Sequence, residues 1–167
     1  MQPIKLADYN LWANNLVRNL LNGLTEEEFS RRILPPYDSI RNLVAHIVLA
    51  DEYNLVTRVD GGDIDPDKLW KSLSEMKMEK LLDHWRDMDL RLKWLASNRL
   101  DLDAVFPNFL GEGKIRVDHD DYLTQYFVHT VHHRAQIMSA LRLMGREAVG
   151  TDYLFYLSSL ATPQRPN

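Results

Sequence analysis

The 167-residue sequence contains no cysteine. That absence excludes a disulfide framework, thiolate zinc sites, iron–sulfur clusters and a cysteine nucleophile. Any metal must be held by imidazole or oxygen ligands, and thiol chemistry needs a thiol from another molecule. A surplus of positive charge is missing too. Twenty Lys+Arg against 24 Asp+Glu leave a formal net charge of −4, the wrong sign for a surface that grips phosphate backbones. With no basic cluster interleaved with aromatics, nucleic acid is not an expected partner. Long apolar runs are also lacking: residues 43–50 are interrupted by His46 and are far too short to span a bilayer. The opening MQPIKLADYNLWANN has neither the apolar core nor the cleavage pattern of a signal peptide. A cytoplasmic protein with no membrane partner is therefore expected. What is present, 45% hydrophobic and 26% charged residues without repeats or low-complexity tracts, suits one globular domain over residues 1–167.

The apolar spacing is helical almost throughout. A first helix is expected from Pro3 to Asn22, with Leu6, Tyr9, Ala13, Leu16, Val17 and Leu20 on one face and Gly23 as its stop. After a polar loop containing Pro35 and Pro36, Ser39 caps a second helix bearing Ile40, Leu43, Val44 and Ile47, which ends before Gly61-Gly62. A third opens after Pro66 and carries one stripe from Leu69 through Trp85 to Leu95, reaching about Asn98. Between Arg99 and Val117 the rhythm breaks into extended pieces at Val105-Phe106 and Ile115–Val117, turning through Gly111-Glu112-Gly113. Asp118 caps a long fourth helix that runs to Met144 and stops at Gly145. Thr151 caps a last short helix over residues 152–160, and a polar tail follows. The expected fold is all-α: a four-helix bundle with a short fifth helix and a small extended insert between helices 3 and 4.

Three of the six histidines, His129, His132 and His133, fall in YFVHTVHHRAQI. Residues four apart on a helix lie roughly 40° apart around the axis and about 6 Å along it, so His129 and His133 can face one ion. A third ligand must come from a facing helix, and His46 in LVAHIVLADEYN is the best candidate. On a helical wheel His129 and His133 fall at about 240° and 280°, flanking the apolar arc, while His132 falls at about 180°, opposite it. His46 takes a similar flanking place on the second helix. Two readings stay open: histidines separately hydrogen-bonded at a core edge, or a divalent ion satisfying all three. His84 and His119 read as surface residues.

The motifs ADYNLWANN, the helix-borne His46, HTVHHRAQI and TDYLFYL resemble the DinB-like (YfiT-like) damage-inducible family in order and spacing over nearly the whole chain. Its most specific part is His-x-x-x-His-Arg-Gly/Ala-Gln; Ala135 stands where glycine is frequent. The resemblance implies a four-helix bundle, commonly a homodimer and associated with stress, with a divalent metal on His46, His129 and His133. Zinc or nickel comes ahead of iron or manganese. Related members include transferases and isomerases that use thiols such as bacillithiol or mycothiol.

Three neutral imidazoles would leave an ion with its full charge and an open position, the pattern of a catalytic site. Such an ion could acidify a water for hydrolysis or a small thiol cosubstrate for attack on an electrophilic substrate. A metal-dependent thiol S-transferase is expected slightly ahead of a hydrolase. The alternative is a metal- or ligand-binding stress protein without turnover. Tyr126 and Gln136 are candidates to orient water or substrate, although packing or helix-to-helix hydrogen bonding is the favoured explanation for both. Asn10, Asn14, Asn15 and Asn19 read as a solvated or interface face of helix 1. Asp51 and Arg134 both point to the centres of apolar arcs, at about 20° on their wheels. Buried charges need partners, so the two are expected to pair between helices 2 and 4.

Overall fold

Local sequence signals set most element boundaries in the computed structural model, which describes residues 3–33, 35 and 37–161. Pro36 of the expected loop and the polar tail lie outside the described residues. Helix α1 spans Pro3–Leu21, proline being acceptable where a backbone donor is unpaired anyway. A five-residue α2, Glu26–Ser30, follows and was not expected. It is held by a capping box in which Thr25 and Glu28 exchange side-chain and backbone hydrogen bonds. Ser39 caps α3, Ile40–Asn54, as expected, but the helix gives way to a π-helical turn, Leu55–Val59, before Gly61.

The expected third helix is two. Asp65 caps α4, Pro66–Ser74, and α5 runs from Met78 to Ser97. The cause is tertiary: the Met78 N–H donates to Glu26 Oε1 at 2.8 Å, and the Arg41 guanidinium donates to the Met76 carbonyl. Backbone groups that a continuous helix would bond internally are captured by α2 and α3. Strands β1, Ala104–Pro107, and β2, Lys114–Val117, pair antiparallel with Ala104 opposite Val117. Gly113, at φ 90°, supplies the left-handed turn residue that closes the hairpin. Asp118 caps α6, His119–Leu143, accepting from the N–H groups of Asp120 and Asp121. Gly145, at φ 71°, ends it. Helix α7 spans Tyr153–Ala161. Among the described residues the chain is thus mostly helical, with seven α-helices and one two-stranded sheet, and no helix is long and apolar enough to cross a membrane.

The long helices pack so that α1 and α3 each touch both α5 and α6. Their core is two apolar clusters rather than one. The first gathers Val17, Leu21, Leu43, Ile47, Leu81, Trp85, Ile137 and Leu141. The second gathers Ala7, Leu55, Leu92, Leu95, Tyr122, Leu123 and Phe127. Between them every long helix contributes buried polar residues: Asn10 and Asn14 from α1, Asp51 from α3, Asp89 from α5, Thr130 and Arg134 from α6. A polar layer therefore crosses the middle of the core.

This layer overturns the expected Asp51–Arg134 pair. Both residues are buried, but Arg134 faces α1, donating to Asn10 Oδ1 at 2.8 Å, Asn14 Oδ1 at 2.7 Å and Tyr9 Oη at 2.9 Å. Both Asp51 oxygens lack a hydrogen-bond partner. The layer's ion pair is instead Arg18–Asp89, at 2.5 Å, with Asn14 also donating to Asp89 at 2.8 Å. Asn10 and Asn14 are accordingly buried, whereas Asn15 and Asn19 are exposed as expected. His119 is a second correction: it is buried, sharing a small cavity with residues 99–102, the chain folding back beside it. His84 is half-buried and meets Glu52 at 3.1 Å.

Candidate metal centre

Helix α3 presents His46 and α6 presents His129 and His133, one turn apart, where these two helices pack. The Nε2 atoms of His46 and His129 lie 3.2 Å apart, and those of His133 and His129 lie 3.0 Å apart. One ligand nitrogen from each of the three lies within 4.8 Å of the others. Two imidazole nitrogens on one tetrahedral ion, each 2.0–2.1 Å away, are separated by about 3.3–3.4 Å. The three side chains could therefore hold an ion with little movement.

Protonation points the same way. Burial, with repulsion from His133 next, lowers His46 to about 4. Burial and the neighbouring imidazoles lower His129 to about 4. Burial lowers His133 as well, against the pull of Gln136. At neutral pH the cluster is uncharged, the state in which imidazole ligates. The Nδ1–H of His133 donates to Gln136 Oε1 at 2.7 Å, a bond that assigns the ring proton to Nδ1 and leaves Nε2 bare toward the other two histidines. Gln136 in turn reaches His132 Nε2 at 3.3 Å. His132 is exposed, as its position on the wheel implies, and its ring sits edge-on to His133.

Tyr37 is a member of this site that sequence reasoning missed. Its hydroxyl is hydrogen-bonded to His46 Nε2 at 3.0 Å, and its ring lies 4.4 Å from that imidazole, centroid to centroid. It stands in the loop ahead of Ser39, beside Asp38, whose left-handed φ of 64° and carbonyl bond from the Ile33 N–H shape the turn. No helical period extends into that loop, and the only available signal was an aromatic hydroxyl just ahead of a helix cap.

A cavity of about 410 Å³ opens beside the triad, with His129 in its wall. Phe106 and Phe109 of the hairpin region, Ala50 of α3, and Tyr122 and Tyr126 of α6 form much of the rest. The hairpin thus covers a mostly apolar space, also lined by Asn54, Asp121 and Gln125, that adjoins a candidate ligand. Tyr126, expected near the imidazoles, is buried and serves as cavity wall.

The DinB family model matches residues 1–165. The chain belongs to the DinB family. Protein DinB of Bacillus subtilis (strain 168) is 27% identical over 160 residues, covering 92% of each chain. The crystal structure of a protein assigned to the DinB family from Exiguobacterium sibiricum 255-15 superposes with a TM-score of 0.64, covering 90% of this chain and 97% of that one. At 15% identity that likeness speaks for the fold. Family membership and the three-histidine cluster agree with each other; neither names a substrate.

Proposed function

We propose that this DinB-family chain is a metal-dependent enzyme that joins a small thiol to an electrophilic substrate, its divalent ion held by His46, His129 and His133. The four long helices are read as the four-helix bundle that carries this site. The observation that carries the proposal is the convergence of three uncharged Nε2 atoms beside a mostly apolar cavity that has His129 in its wall. When bound there, a divalent ion supplies Lewis acidity, lowering the pKa of a thiol or water at its open position.

The chain's own residues supply the remaining functions. Gln136 fixes the His133 tautomer, and His132 steadies Gln136 from outside. The Tyr37 hydroxyl, raised above its ordinary pKa by burial, keeps its proton and presents it at the His46 edge of the triad. The apolar walls shed water from the neighbouring space, which favours a thiol over water as the nucleophile and an electrophile with an apolar body. The chain has no cysteine of its own, so the thiol arrives as a cosubstrate. Hydrolysis is the second reading of the same centre, since water can take the same position.

The deciding experiment measures the metal content of protein purified without added metal, then screens the loaded protein against electrophiles with and without small thiols. Metal bound by the wild type and lost in His46→Ala and His133→Ala, with thiol-dependent turnover, is the expected result. Unchanged stoichiometry in those variants removes the triad. Turnover without thiol moves the assignment to hydrolase, and silence across a broad panel moves it to a binding protein.

A further inference from the structure

The π-helical turn Leu55–Val59 carries an arginine that the rest of the protein leaves unpaired. Among the described residues, the other arginines that are at least partly buried all have polar partners: Arg18 has Asp89, Arg41 has Glu26, Arg91 has Asp60 and Arg134 has Asn10. Arg58 is partly buried as well, yet its guanidinium makes no hydrogen bond and no ion pair there. Its Nε is sealed from solvent, while the two terminal nitrogens keep open surface. Asp60, two residues on, gives both oxygens to Arg91. The guanidinium carbon lies 5.5 Å from the Phe106 ring centroid, a contact that attracts the charge but leaves its five N–H donors unmet. Methionine at position 58 would cover that ring without placing an unpaired charge in a half-buried position.

The surroundings repeat the pattern. A cavity of about 250 Å³ between the turn and the hairpin is lined by Arg58, Val105, Phe106, Pro107, Gly113 and Lys114. Lys114 has no ion pair either. No acidic side chain lines this space, although the chain holds 24 acidic residues against 20 basic ones. Two like charges sharing a concavity repel each other and together attract an anion. Phe106 is also a wall of the larger cavity beside the triad, where its ring meets Tyr122 at 6.4 Å, so the two spaces share a partition. We propose that Arg58, seconded by Lys114, binds the carboxylate or phosphate of a ligand whose apolar part occupies the larger cavity. The planar guanidinium pairs with the oxygens of such groups two at a time, while Phe106, Phe109 and Ile115 pack the apolar part. The inference rests on the larger cavity being the substrate side of the proposed enzyme, and its test does not depend on the metal.

The probes are octanoate, octyl phosphate and octanamide, which share a chain and differ in charge. Their dissociation constants are measured by calorimetry at low salt, on protein as purified and after dialysis against chelator. The better of the two anions is expected to bind about tenfold more tightly than the amide in both preparations, the low end for a hydrogen bond to a charged group. Which anion is the tighter names the group. Arg58→Met should bring the ratio to about one while binding octanamide as the wild type does, which also shows it folded. Arg58→Lys, which keeps the charge and loses the fork, should fall between the two. Lys114→Met, at an exposed position that folding does not depend on, should lower the ratio about two- to threefold. Equal binding of anions and amide overturns the inference, as does binding of none of the three. A ratio that survives Arg58→Met, or is untouched in Lys114→Met, overturns it too. A preference seen only with metal present also overturns it, because the ion would then be holding the anion. A chain that holds no metal yet keeps the ratio refutes the enzyme reading and leaves the anion pocket standing.

Discussion

The two halves of the polar layer treat buried polar groups in opposite ways. On the α1 side, Asp89 accepts from Arg18 and Asn14, while Arg134 is held by Asn10, Asn14 and Tyr9; Tyr9 passes its own proton to the Thr151 carbonyl at 2.7 Å. The two asparagines use both ends of their amides, donating to the carboxylate and accepting from Arg134. On the α3 side, Asp51, the Tyr122 hydroxyl and His129 Nδ1 are buried without partners. Arg134 Nε is left over on the α1 side too, but a network paired at most of its groups fixes one arrangement of helices, whereas one left largely unpaired stays open to a further partner. The first half accordingly reads as architecture and the second as site.

The largest effect should come from breaking the satisfied half. Asp89→Ala strands the Arg18 charge in the core and removes the acceptor that Asn14 serves; a loss of about 3–5 kcal/mol is expected, read as the drop in unfolding free energy in denaturant titrations. A loss below about 1 kcal/mol would mean that this half is not architecture. His46→Ala makes the opposite test. Metal binding should be abolished, while the stability of the metal-free protein falls by no more than about 1–1.5 kcal/mol, because the half-buried imidazole gives up a single hydrogen bond, to the Tyr37 hydroxyl. Smaller again is Gln136→Leu, which frees the His133 ring while keeping all three ligands. Metal affinity should weaken 10- to 100-fold, the usual cost of losing such an orienting bond, measured by competition with a chelating dye.

The contrast between the halves also marks how far sequence reading reached. Ser39, Asp118 and Gly145 mark the ends of helices α3 and α6 because capping chemistry is local. His129 and His133 were legible because a four-residue spacing has one geometric meaning on a helix, and His46 because it flanks the same kind of arc. The break between α4 and α5 was not legible, since Glu26 and Arg41 impose it from outside the segment. Helix α2 carries a clear capping box but is too short to show a period. The Asp51–Arg134 pair failed for a different reason. A helical wheel gives an angle about one axis but not which neighbour that angle meets, and Arg134 meets α1 rather than α3. Tyr37 depends on a loop whose course no periodicity reports.

Acid titration sharpens the comparison further, because the halves should respond with opposite signs. In the folded chain His46 and His129 sit near 4, below the ordinary 6.5. The unfolded chain therefore takes up protons that the folded one refuses, and this contribution to stability, full above about 6.5, is lost as pH falls toward 4. Asp89 behaves inversely. Burial raises it from 3.8 to about 6 against the pull of Arg18, so its contribution is full below about 3.8 and lost as pH rises through 6. Thermal midpoints of metal-free protein between pH 4 and 7 separate the two. The advantage of wild type over His46→Gln/His129→Gln should shrink as the solution is acidified, and that over Asp89→Asn should shrink as it is made more alkaline. If both differences move in the same direction, the two halves titrate as one unit and the division between architecture and site fails.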